Sequence, residues 1–199
     1  KSGYVTYTPP PYLPKPVMSS GQSARFGVIA NPSKLSRAFL QDIKSKIPRW
    51  RRANQIEGRS FELVFIDHRF RFAEVRQRVE DVLGPSLAAF IAPENHLQYL
   101  QAVCELDMVL DSWPYSGGLT TVEALAMGVP VVTKPGLLFC ERHTWSHLHF
   151  GGQDPNRYSY ETFDGKWRPK SGQSLLNPRS DRLNHKKLAR EFLRVLMRL

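Results

Sequence analysis

An apolar run that stops on a carboxylate and passes into a glycine loop leaves few folds open. Met108-Val109-Leu110 is such a run, and Asp111 closes it. A loop of Pro114, Tyr115, Ser116, Gly117 and Gly118 follows. Thr120 and Thr121 then open VEALAMG, a segment of good helix formers that Gly128 stops. Val129-Pro130-Val131-Val132-Thr133 reads as a second buried strand, ended by Pro135-Gly136. Strand, loop, helix and strand make one βαβ unit, whose loop brings two glycines and two hydroxyls to a helix N-terminus. Unpaired N–H groups and the positive end of the helix dipole favour an anion there. Glu123 stands about one turn into that helix, where a carboxylate reaches a sugar hydroxyl. The spacing by itself also fits a purely structural strand-to-helix turn with threonine caps.

The rest of the chain extends this unit. Arg25 to Ala30 (RFGVIA), Phe61 to Ile66 (FELVFI) and Leu87 to Ala92 (LAAFIA) read as three more buried strands. Between them, Ala38, Phe39, Ile43 and Ile47 fall at helical spacing from Ser36, with Pro48 expected to end the helix and Arg49 to Ser60 to form a basic surface loop. Phe72, Val75, Val79 and Val82 mark a second helix before Gly84-Pro85, and His96 to Cys104 a third, with Leu97, Leu100 and Val103 inward. Strands that alternate with helices imply an α/β fold, a doubly wound parallel sheet with right-handed crossovers. In a 3-2-1-4-5 strand order the glycine loop adjoins the first strand at the topological switch point, with Asn31 to Lys34 beside it. Lys34 is then placed to neutralise a phosphate; as an ordinary residue it is a solvated lysine before a helix.

Composition narrows the class. The chain has 199 residues, 41% of them hydrophobic and 23% charged, which suits a soluble globular protein. No apolar run approaches the ~20 residues a membrane span needs, and the start does not read as a signal peptide. Cys104 and Cys140 lie in apolar segments, so free thiols in a reducing, cytoplasmic setting are expected. The net charge of +10 gathers in Arg49 to Arg52, His68 to Phe72 and the last 20 residues, but no nucleic-acid motif accompanies it. Residues 1–24 read as a proline-rich linker, 25–152 as a nucleotide-sugar-binding Rossmann-like domain, and 153–199 as a loop and a C-terminal amphipathic helix packing on the domain.

The string from Leu110 to Gly136 resembles the donor-nucleotide motif of the O-GlcNAc transferase and SPINDLY-like family of glycosyltransferases. Bacterial members of that family read close to LDxxPYNGGTTTxDALWMGVPVVTxxG. Leu110, Asp111, Pro114, Tyr115, Gly117, Gly118, Thr120, Thr121, Ala124, Leu125, Met127, Gly128 to Thr133 and Gly136 match. Ser116 replaces Asn, Leu119 replaces Thr, Glu123 replaces Asp and Ala126 replaces Trp. FGVIANPSKLS similarly matches the family's FGSFNxxxKLS at Phe26, Gly27, Lys34, Leu35 and Ser36, with Ala30 where Asn is usual. Counting back from Asp111, His96 falls where the family places a lysine on the donor phosphates, and Tyr99 where it places a uracil contact. A solvent-facing histidine and a core tyrosine are the structural alternatives. Arg142, His143 and Ser146 fit the family's pattern after the second strand.

The resemblance implies the C-terminal, donor-binding lobe of a GT-B glycosyltransferase. Lys34 would be its catalytic cation. Asn31, His96, Tyr99, Gly117, Gly118, Leu119, Thr120, Thr121 and Glu123 would be its donor-binding residues. The implied donor is a UDP-sugar, UDP-GlcNAc in the first place, with no cofactor and no metal. The implied partners are a protein acceptor and an N-terminal lobe in the same or another chain. Other readings of the residues are a catalytic Asp67–His68 pair, against which a helix-capping Asp67 stands, and a zinc site at His143, His147 and His149. No Asp, Glu or Cys cluster completes the zinc site. A non-catalytic module binding a nucleotide or partner through its basic surface is the alternative from another class.

Overall fold

The structure, a computed structural model, describes residues 7–18, 22–166 and 168–176. Its centre is a five-stranded parallel sheet in the order β3-β2-β1-β4-β5. The strands are β1 (Ser23–Val28), β2 (Ser60–Ile66), β3 (Ala89–Ile91), β4 (Met108–Leu110) and β5 (Val131–Val132). Five helices connect or follow them: α1 (Arg37–Ile56), α2 (Ala73–Leu83), α3 (His96–Cys104), α4 (Leu119–Ala126) and α5 (His143–Gly151). The doubly wound parallel sheet expected from the alternation of strands and helices is the observed fold.

Side chains leave a strand on alternate faces, so a sheet covered on both sides is apolar throughout. Phe26, Val28, Leu63, Phe65, Met108, Leu110 and Val132 pack one face against α1 and α2. Val64, Ile66, Val109 and Val131 pack the other against α3, α4 and Leu148 of α5. Gly27 pairs with Val109 where β1 meets β4. A Cβ there would stand 2.1 Å from the Leu106 side chain, so only glycine lets that fully buried leucine reach the sheet.

Two local expectations fail. Helix α1 does not end at Pro48 but continues to Ile56, through what was expected to be a surface loop. Proline inside a helix removes one hydrogen bond and costs ~3 kcal/mol. Here it lies on the exposed face, while Trp50 and Asn54 continue beyond it the buried stripe of Ile43 and Ile47. Burying Trp50, which packs on Phe26 and Phe163, offsets that cost. In α3, Leu100 and Val103 point inward as expected, but Leu97 is 41% exposed. Cys104, a turn beyond Leu100, takes the inward place instead.

The polar segment after α5 has little regular structure yet packs tightly. Its Tyr158 carbonyl and Tyr160 N–H bond Thr133, which covers the outer edge of β5. Gly165 (φ +78°) lies so close to the Trp50 ring that a Cβ has no room, and its carbonyl accepts from Asn54. The amphipathic helix expected over Leu183 to Leu199 lies outside the described residues.

Candidate active site

Open α/β sheets bind ligands beyond the carboxyl ends of their strands, where the strand order reverses. Here that point lies between β1 and β4. A cleft of about 180 Å³ opens there, lined by Ala30, Asn31, Lys34, Asp67, Tyr99, Asp111, Gly117, Thr120 and Thr121 among others. A larger hollow of about 660 Å³ lies at the amino ends of β4 and β5, against Gly128, Pro130 and the segment 154–175. That is the wrong end of the sheet for a helix N-terminus to act on an anion, so the smaller cleft is the candidate.

Asp111 shapes the loop. It is 4% exposed, and its carboxylate accepts from Ser116 Oγ (2.7 Å), the Gly117 N–H (2.7 Å) and Thr133 Oγ1 (2.8 Å). Burial pushes its carboxyl above the usual range, and these bonds pull it back in part. Ser116 Oγ in turn accepts the Thr144 N–H of α5 (2.9 Å), and Thr144 Oγ1 meets Thr121 Oγ1 (2.8 Å). The loop is thus clamped between β4, β5 and the first turn of α5. A Cβ on Gly117 would stand 2.5 Å from Thr121 Oγ1, whereas one on Gly118 would meet open space. Gly118 precedes α4 without a side-chain cap, which leaves the first N–H groups of α4 for a ligand. Of the hydroxyls, Thr121 is buried and engaged with Thr144, while Thr120 is half-buried on the cleft; Leu119 is 53% exposed.

Lys34 arrives from the other side. Asn31 caps the short 3-10 turn Pro32–Lys34, its Oδ1 accepting from the Ser33 N–H and hydroxyl (both 3.0 Å). That turn carries the Lys34 ammonium to the Ser116 carbonyl (3.3 Å), over the Tyr115 ring at 4.2 Å. Burial lowers its pKa, and the Asp111 carboxylate opposes that shift. Residues 82 apart in sequence therefore meet at one point.

His96 and Glu123, read separately from sequence, form a pair. His96 Nε2 lies 2.9 Å from Glu123 Oε1, and the His96 and Tyr99 rings stack at 6.0 Å. Glu123 is almost fully buried; burial raises its carboxyl pKa and His96 opposes that. Tyr99 titrates well above the usual phenol range, through burial first and then the charges of Glu123 and Asp67. Asp67 caps the 3-10 turn His68–Arg71, accepting from the Arg69 N–H (2.8 Å), so its capping role is the observed one. His147 is buried in α5, and no group of three or more His, Cys, Asp or Glu able to hold a metal occurs among the described residues. No helix there is long and apolar enough to cross a membrane.

Sequence reasoning missed Tyr12. From the proline-rich strip its hydroxyl reaches His96 Nδ1 at 3.1 Å, and no local pattern announces a contact across 84 residues.

No family model matches the sequence. It is 32% identical over 146 residues to a probable UDP-N-acetylglucosamine–peptide N-acetylglucosaminyltransferase SPINDLY of Hordeum vulgare, a match covering 67% of this chain and 14% of that protein. The SPINDLY protein of Arabidopsis thaliana is 31% identical over 140 residues, covering 67% of this chain and 15% of that one. Among solved structures, a mutant O-GlcNAc transferase of Thermobaculum terrenum superposes with a TM-score of 0.65 at 25% identity, over 94% of this chain and 34% of that one. The chain therefore spans well under two thirds of the length of these relatives. With the glycine loop, the strand order and Lys34 in place, the chain belongs to the O-GlcNAc transferase and SPINDLY-like family of glycosyltransferases.

Proposed function

We propose that this chain binds the nucleotide-diphosphate sugar of a glycosyl transfer, with UDP-GlcNAc as the favoured donor and a protein hydroxyl as the acceptor. The observation that carries the reading is the contact of Lys34 with the Ser116 carbonyl, which sets an ammonium beside the uncapped start of α4. The diphosphate lies across that start, taking N–H groups from the loop and charge from Lys34. Tyr99 and His96 flank the base and ribose, and Glu123 takes a ribose hydroxyl.

In the reaction an acceptor oxygen attacks the anomeric carbon, the bond from that carbon to the diphosphate breaks, and the acceptor proton passes to a base. Negative charge grows on the leaving diphosphate. Lys34 and the N–H groups of α4 meet it in place, without reorganising at the moment of transfer. The base and the acceptor groove belong to a second lobe in the same or another chain. An apolar rim on the cleft side supports such a lobe: Leu137, Leu138 and Phe139 are 95%, 64% and 67% exposed.

Calorimetry with UDP, GDP and their sugars tests the reading. Binding of a UDP-sugar in the micromolar to millimolar range is expected, and no binding of any nucleotide in the panel would overturn it. Transfer by this chain alone to a mixed protein pool is expected at background. Without the second lobe, orientation that supplies ~7–11 kcal/mol of barrier lowering is missing.

A further inference from the structure

The proline-rich strip is bound to the domain at several points. The Lys15 carbonyl accepts from Cys104 Sγ at the end of α3 (3.6 Å), and Leu13 packs on the core beneath α3 and α4. Pro16 lies against Gly128, and Met18 bridges Ser171 in antiparallel fashion. This path carries two tyrosines to the nucleotide side of α3. Tyr7 comes close enough to Glu123 that burial, and then this carboxylate, raise its phenol pKa to about 12. Tyr12 lies edge-on to the His96 ring at 5.8 Å, with its hydroxyl on Nδ1.

The roles at His96 follow from its two partners. Glu123 Oε1, as a carboxylate, only accepts, so the His96 nitrogen facing it at 2.9 Å carries the proton. In the neutral ring Nδ1 then has a lone pair and no proton, so the Tyr12 hydroxyl donates to it. The second bond selects the tautomer that the first requires. Without the Tyr12 hydroxyl only the bond to Glu123 holds the Nε2–H form, so the ring flips or places its proton on Nδ1 more readily, and either change releases Glu123.

We propose that Tyr12 is a positioning residue of the nucleotide site: it holds His96 as the Nε2–H tautomer and, through His96, fixes the Glu123 carboxylate for a ribose hydroxyl. The assignment of Glu123 to ribose rests on the proposed function; the tautomer does not. The strip is then part of the site rather than a spacer before it.

The test compares the protein with its Tyr12→Phe variant, which keeps the ring and loses only the hydroxyl. Long-range nitrogen–proton NMR on histidine-labelled protein reads the His96 tautomer, with His96→Asn giving the assignment. In the parent protein the Nε2–H form is expected to dominate, and in Tyr12→Phe the signal shifts toward a mixture. An unchanged His96 signal in the folded variant overturns the proposal, whether or not any nucleotide binds. UDP affinity is expected to fall about three- to tenfold in Tyr12→Phe, the range for one neutral hydrogen bond. Affinity for the 2′,3′-dideoxy analogue is expected to stay within about twofold. Equal losses for both nucleotides would overturn the link from Tyr12 to Glu123. Failure of the parent protein to bind UDP would count against the proposed function instead, leaving the tautomer signal to decide for Tyr12.

Discussion

The Asp111 carboxylate holds the Gly117 N–H at 2.7 Å, and this bond sets the course of the glycine loop from β4 to α4. It leaves no space over the glycine, because Thr121 Oγ1 and Asp111 Oδ1 lie 2.5 and 3.1 Å from where a Cβ would stand. Gly117→Ala is therefore expected to destabilise the fold by ~1–3 kcal/mol, the cost of overpacking a tight site. Urea unfolding measures it. A midpoint equal to that of the parent protein would show that the loop has room to move.

Lys34→Ala is expected to weaken UDP binding by ~1.5–3 kcal/mol, the range for a hydrogen bond to a charged group. Uridine, which lacks the phosphates, should bind both proteins alike. Calorimetry with the two ligands separates a lost phosphate contact from a disturbed cleft. A loss of the same size for uridine would assign Lys34 to the fold.

Glu123→Gln keeps the shape of a nearly fully buried side chain and removes its charge. We expect a loss of about tenfold for UDP, in line with one charged hydrogen bond, and a smaller loss for the 2′,3′-dideoxy analogue. The ratio of the two affinities is the measurement. A ratio unchanged from the parent protein would make Glu123 a support of α4 and His96 only.

Burial, with a lesser push from His143, lowers the pKa of His147 to about 4 from an ordinary 6.5. Above pH ~6.5 the ring is neutral in both folded and unfolded chains and costs nothing. As pH falls from there toward 4, the unfolded chain takes up a proton that the folded one refuses, so stability is lost across that window. The loss is on the order of 3 kcal/mol when complete. His147→Gln should flatten the dependence of the urea midpoint between those pH values. An equally steep profile in the variant would place the acid-sensitive group elsewhere.

Much of the fold was legible because its signals are local. Each strand is a short apolar run closed by a turn, and the string from Asp111 to Gly136 carries its own start, loop, helix and stop. Alternation of strands with helices was enough to imply the parallel sheet, and its order places Lys34 beside the glycine loop. What needed the tertiary structure was every decision between distant surfaces. Pro48 reads as a stop, since it breaks the hydrogen-bond ladder, but the buried Trp50 lies two residues further and carries α1 past it. Leu97 has the right spacing for the core and still faces solvent, because periodicity gives the width of an apolar face and not its edge. Tyr12, His96 and Glu123 show no shared pattern, being 84 and 27 residues apart. Residue types and short-range spacing are written along the chain, whereas a hydrogen bond between remote side chains exists only once packing has brought both backbones to one place.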